Sequence, residues 1–162
     1  MYQRSLLRPF VFLLACLVIA PALAGENKAV GPFPVREPEE GTALRVMYEV
    51  LKAGVDTDEK AGKKAFRKLV VANRKSSKEQ DEELLLKEWD NLRAQAGSYL
   101  LHDTYGFKVM VEEMNPGPAF VDRSTKKVYI TLRNKLEGDE RRGLLIIERA
   151  GKGKWLLRSV NL

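Results

Sequence analysis

Hydrophobic periodicity changes once along this 162-residue chain, and the change falls at His102-Asp103-Thr104-Tyr105-Gly106. Before that point apolar residues recur every three or four positions. After it they alternate with polar ones. A 3.6-residue period buries one stripe of a helix, and a period of two buries one face of a strand. The chain is therefore expected to build helices first and a sheet after. Its strands are joined by short links, so the sheet is antiparallel. The fold class that follows is α+β, with three helices packed on one face of a sheet of about four strands.

The spacing predicts a first helix from Thr42 to about Ala53, with Ala43, Met47, Val50 and Gly54 on one face and Thr42 as cap. Asp56 and Glu59 have capping-box spacing before a second helix. It sets Phe66, Leu69, Val70 and Asn73 on one side and its lysines and arginines toward solvent. Gly62 is its weak point, costing about 1 kcal/mol in propensity. Ser76 and Glu79 open a long third helix, about Ser77 to Leu101, whose stripe is Leu85, Trp89, Leu92, Ala96 and Tyr99. Strands are expected at Phe107–Val111, from Lys127, at Leu144–Glu148 and at Trp155–Leu162. Ala119–Asp122 reads as short and extended. Ala150-Gly151-Lys152-Gly153-Lys154 reads as a hairpin turn.

Residues 1–24 read as a secretory signal peptide. Arg4 and Arg8 precede an uninterrupted apolar run from Pro9 to Ala24, which ends in Ala22-Leu23-Ala24. Cleavage after Ala24 releases the protein to the periplasm or the medium. Cys16 offers the alternative, because Leu13-Leu14-Ala15-Cys16 resembles a lipobox at which a lipoprotein is cut and acylated. The residues after Cys16, LVIAPALA, are too apolar for a tether, so release is favoured. Cleavage after Ala24 also removes the chain's one cysteine, and with it thiol and disulfide chemistry. Residues 25–41, rich in Gly, Pro and Glu, read as an extended arm on which Phe33 and Val35 dock. Residues 42–162 form a single domain, long enough for a real core.

The chain carries 28 basic and 22 acidic side chains. Losing Arg4 and Arg8 with the leader leaves a net charge of +4. The surplus falls in residues 100–162, since residues 25–99 are balanced. Such an excess reads first as a solvated surface, and also attracts anionic lipid or glycan.

Three helices followed by strands ending in GKWLLRSVNL, with Pro38-Glu39-Glu40 before the first helix and Gly153-Lys154-Trp155 before the last strand, resemble the NTF2-like (cystatin-like) superfamily, in particular its small exported bacterial members. The resemblance covers about residues 38–162. It implies a cone, in which the curved sheet wraps the long helix around a pocket. Some members are isomerases or dehydratases; many bind a ligand or a protein, or dimerise through the sheet.

Chemistry-bearing residues are sparse. His102 is the only histidine and stands beside Asp103. Histidine titrates near neutrality. It is also favoured at a helix C-terminus by the dipole, and sequence neighbours do not face each other on a helix. Asp90 sits at the rim of the apolar stripe. Asp90 and His102 are the catalytic candidates, and Tyr48, Trp89, Tyr99 and Tyr105 the candidates for a pocket lining. One histidine and no mature cysteine leave zinc without its usual donors, so neither metal nor cofactor is expected. Gly151–Lys154 lacks the phosphate-loop form and precedes a strand. The expected function is non-enzymatic binding of a small apolar ligand or an envelope protein. The alternatives are a small isomerase or hydrolase, and a structural envelope protein that homodimerises through its sheet. No nucleic-acid partner is expected, and membrane association is expected only through lipidation.

Overall fold

The computed structural model describes residues 29–116, 127–134 and 141–162. The leader with Cys16, and the segment Ala119–Asp122, lie outside the described residues. The elements in chain order are β1 (Ala29–Val35), α1 (Ala43–Val55), α2 (Glu59–Leu69), α3 (Lys78–Tyr99), β2 (Leu100–Asp103), β3 (Gly106–Pro116), β4 (Lys127–Arg133), β5 (Arg142–Arg149) and β6 (Trp155–Asn161).

Local chemistry sets the helix ends. Thr42 Oγ1 accepts from the Arg45 N–H at 3.1 Å and starts α1. Asp58, not Asp56, caps α2, its carboxylate accepting from the N–H groups of Lys60 and Ala61. Asp56 instead accepts from the Asp58 N–H and shapes the approach. Ser77 caps α3. Each cap satisfies a donor that the helix geometry leaves orphaned. At Val70 the chain leaves the helix for an extended course, because the Val71 N–H donates to the Leu157 carbonyl on β6.

All strand pairs are antiparallel, in the order β1-β3-β4-β5-β6. β2 runs straight on from α3 and pairs with Gly106–Val109, the first part of β3. One sheet face is apolar. Val109 and Val111 on β3, Val128, Ile130 and Leu132 on β4, Leu145 and Ile147 on β5, and Leu157 and Val160 on β6 are buried. The helices supply Met47, Val50 and Leu51 from α1, Phe66 from α2, and Trp89, Leu92, Ala96 and Tyr99 from α3. α1 packs over β5 and β6, with α2 and α3 beside it.

Two expectations are corrected. Among the described residues the sheet has six strands instead of about four, and it is open instead of curved into a cone, which overturns the resemblance to the NTF2-like superfamily. The extra strands explain the count. β1 adds an edge beyond β3, and β2 extends the sheet from the end of α3. Gly31, Pro32 and Pro34 read as strand breakers in the sequence, but an edge strand tolerates a residue without an N–H.

The opposite edge, β6, is bonded from outside the sheet. The Arg158 carbonyl accepts from Arg74 Nη1 at 3.0 Å. The Val160 N–H donates to Glu88 Oε1 at 3.3 Å, and the Leu162 N–H to Asn91 Oδ1 at 3.1 Å. The Arg74 guanidinium in turn pairs with the Glu88 carboxylate, both almost fully buried. A bare edge is a template for unwanted pairing, and here Arg74 from the segment between α2 and α3, with Glu88 and Asn91 from α3, occupies it.

Candidate interaction surfaces

The six candidate residues fall in different places. Trp89, Tyr99 and Tyr48 are at most 3% exposed and belong to the core. Trp89 packs on Phe66 with ring centroids 5.7 Å apart. Asp90 is exposed on α3. His102 is exposed on β2. Nine residues of helix separate Asp90 from Tyr99, about 14 Å of axial rise, so Asp90 and His102 do not converge. Tyr105 is 85% exposed at the turn between β2 and β3. Of the six, the structure gathers Tyr48, His102 and Tyr105 around this one hairpin.

The hairpin is built from its turn outward. Asp103 Oδ1 accepts from the Tyr105 N–H at 3.0 Å, an Asx-type closure, and Gly106 takes φ 95°, which favours glycine. The Asp103 carboxylate also receives both terminal nitrogens of Arg36, with Nη1 2.8 Å from Oδ1. Lys108 Nζ lies 3.2 Å from Oδ2. The two-pronged guanidinium contact, with help from the Tyr105 N–H and Lys108, holds the Asp103 carboxyl far below the usual carboxylate range. The same contact raises the Arg36 guanidinium. Arg36 also lies over the Tyr105 ring, 5.7 Å from its centroid. Glu37, next in the chain, takes φ 37°. A non-glycine residue there costs about 1–3 kcal/mol. That strain sits where β1 turns to bring Arg36 against the hairpin.

Behind the turn, the Tyr48 hydroxyl donates to the Phe107 carbonyl at 3.5 Å. Burial, then the nearby Glu37 and Glu49 carboxylates, raises the Tyr48 phenol. The Phe107 ring meets His102 edge-on at 4.9 Å and is itself 36% exposed. The result is an exposed aromatic tip, Tyr105 with Phe107 and His102, fixed at its base by a charged clasp. The sequence signals the turn through Asp103 and Gly106. It carries no sign of Arg36, which is 67 residues away.

A second surface is cationic. Lys60, Lys63, Lys64, Arg67 and Lys68 line an open groove of about 500 Å³ on α2. A neighbouring groove of about 570 Å³ between α1 and α2 has Ala53, Ala61, Ala65 and Leu69 among its lining, with Lys52, Lys64 and Lys68 opposite Glu49 and Asp56. Among the described residues, no group of three or more His, Cys, Asp or Glu is placed to hold a metal ion. The chain matches no protein-family model, no curated protein and no solved structure.

Proposed function

We propose that this chain is a non-enzymatic binding domain of the bacterial envelope, exported by its leader, that docks on a protein partner through the β2–β3 hairpin. The observation that carries this reading is Tyr105, 85% exposed yet held by a ring contact to Arg36 and a backbone bond to Asp103. Tyrosine anchors interfaces well, because it offers large contact area at low entropy cost and a hydroxyl for the wet rim. Pre-ordering the tip reduces the ordering cost of binding. A small apolar ligand would need Tyr48, Trp89 and Tyr99 to line an opening, whereas their side chains are in packing contact. That favours the protein partner over the small ligand.

Site-specific photo-crosslinking in the native host tests the reading. A photoreactive residue at Tyr105 is expected to give one discrete protein adduct, absent when the residue stands at Asp90. No adduct, or the same adducts from both positions, would overturn it.

A further inference from the structure

We propose that α2 docks the protein electrostatically on bilayers bearing anionic phospholipid headgroups. This surface is separate from the hairpin tip, and the inference does not rest on the protein-partner reading.

Five cations fall within nine residues, Lys60 to Lys68, and together they line one groove. Arg67 is paired, with Glu82 of α3. Lys60, Lys63, Lys64 and Lys68 have no ion-pair partner among the described residues. An uncompensated cluster of one sign focuses potential outward and concentrates counter-ions at that face. Of the acidic residues of this region, Asp56, Asp58 and Glu59 lie at the N-terminal end of α2, Glu49 lines the neighbouring groove and Glu82 pairs with Arg67, so the positive charge of the helix is densest from Lys63 to Lys68.

Two features select a lipid surface from among polyanions. Four of the five cations are lysines, compact point charges on flexible stems. Lysine suits a diffuse anionic surface, whereas arginine is the residue that forks onto a fixed phosphate. The groove is also shallow and open, without walls to enclose a discrete ligand. The apolar side of α2 is already committed, since Gly62 and Phe66 are buried in the core. The helix therefore cannot lay an apolar face into the acyl region. Docking is superficial, reversible and steeply salt-dependent. The sequence ties membrane association to lipidation at Cys16; this face supplies an association that needs no acylation of the chain.

The test is co-sedimentation of the mature, leader-free chain with vesicles of phosphatidylcholine containing phosphatidylglycerol, beside vesicles of phosphatidylcholine alone. Binding is expected only to the anionic vesicles and is expected to vanish as salt is raised. Each lysine near such a surface is worth about a fivefold change in partitioning. The triple variant Lys60→Glu, Lys64→Glu, Lys68→Glu should therefore weaken binding at least about a hundredfold. A control triple with the same charge change, Lys87→Glu, Arg133→Glu, Lys154→Glu, should retain most of it, those residues being exposed elsewhere. Circular dichroism confirms that both triples fold. No binding to anionic vesicles overturns the proposal. So does equal loss in both triples, which would reflect net charge alone. Binding to soluble heparin without binding to vesicles overturns the lipid assignment.

Discussion

A Cβ at Gly62 would stand 2.5 Å from the Ala53 carbonyl oxygen and 3.2 Å from the Trp89 ring. The oxygen belongs to the backbone of α1 and cannot step aside without moving that helix. Propensity alone makes this glycine a defect, but its lack of a side chain is what lets α2 lie against α1. Gly62→Ala should therefore destabilise the protein by about 1–2 kcal/mol, overpacking exceeding the gain in helix propensity. Gly97, exposed on α3 with nothing within 4 Å of its would-be Cβ, makes the contrast. Gly97→Ala should stabilise by about 0.5–1 kcal/mol. Urea denaturation midpoints check both, and a stabilising Gly62→Ala would contradict the packing account. The Arg74–Glu88 pair follows a different rule. Removing one partner of a buried pair leaves the other charged in a dry site, so Glu88→Ala should cost about 3–5 kcal/mol in the same assay. Neither effect is legible in the sequence, where Gly62 looks like a flaw and Glu88 like one more acid on a charged helix.

Among the elements, the helices were the most legible and the edge strands the least. Thr42 announces α1 because a cap is a local device, satisfied within three residues, whereas α3 is capped by Ser77, one residue past the Ser76 that the capping-box spacing selects. β2 is hidden because it continues from α3 without a break and half of it, His102-Asp103, is polar. β1 is hidden because Pro32 and Pro34 signal a breaker unless the strand is known to lie at an edge. The hairpin that β2 completes has a predictable acid response. The folded Asp103 carboxyl lies below its ordinary value, first because of Arg36. Its contribution to hairpin order is then complete above the unfolded carboxylate pKa of about 3.9, and is lost as pH falls below that value toward the folded one. Protection of the Tyr105 amide, measured as hydrogen-exchange protection factors, should be constant from neutrality down to about pH 5 and fall below about pH 4. Asp103→Asn should show the loosened hairpin at neutral pH and a flat profile. A profile identical to wild type would remove Arg36–Asp103 as the clasp.

For the whole molecule, helices followed by antiparallel strands could be read from the change of period, but the shape of the sheet could not. A sheet closes only where its edge strands meet, so other partners at the edges leave it open. Here those partners are remote in sequence: β3 with β1, and β6 with Val71, Arg74, Glu88 and Asn91. The charge map was misleading for a related reason. Averaged over residues 25–99, the acids of α3 and the loops cancel the lysines of α2, although on the folded surface those lysines stand together. The position of β1 also bears on the maturation proposal. Ala29, its first residue, follows the apolar run that ends at Ala24 by only a few residues. Cleavage after Ala24 leaves Gly25–Lys28, a short polar sequence before Ala29. Cleavage before Cys16 leaves Leu17–Ala24 attached, an apolar run where a lipoprotein tether is ordinarily polar. The mature protein is therefore expected to begin at Gly25. Intact mass of the exported chain should equal residues 25–162 with no lipid, and iodoacetamide should add nothing, since Cys16 is the sequence's one cysteine. An acylated mass beginning at Cys16 would instead make the protein a tethered lipoprotein.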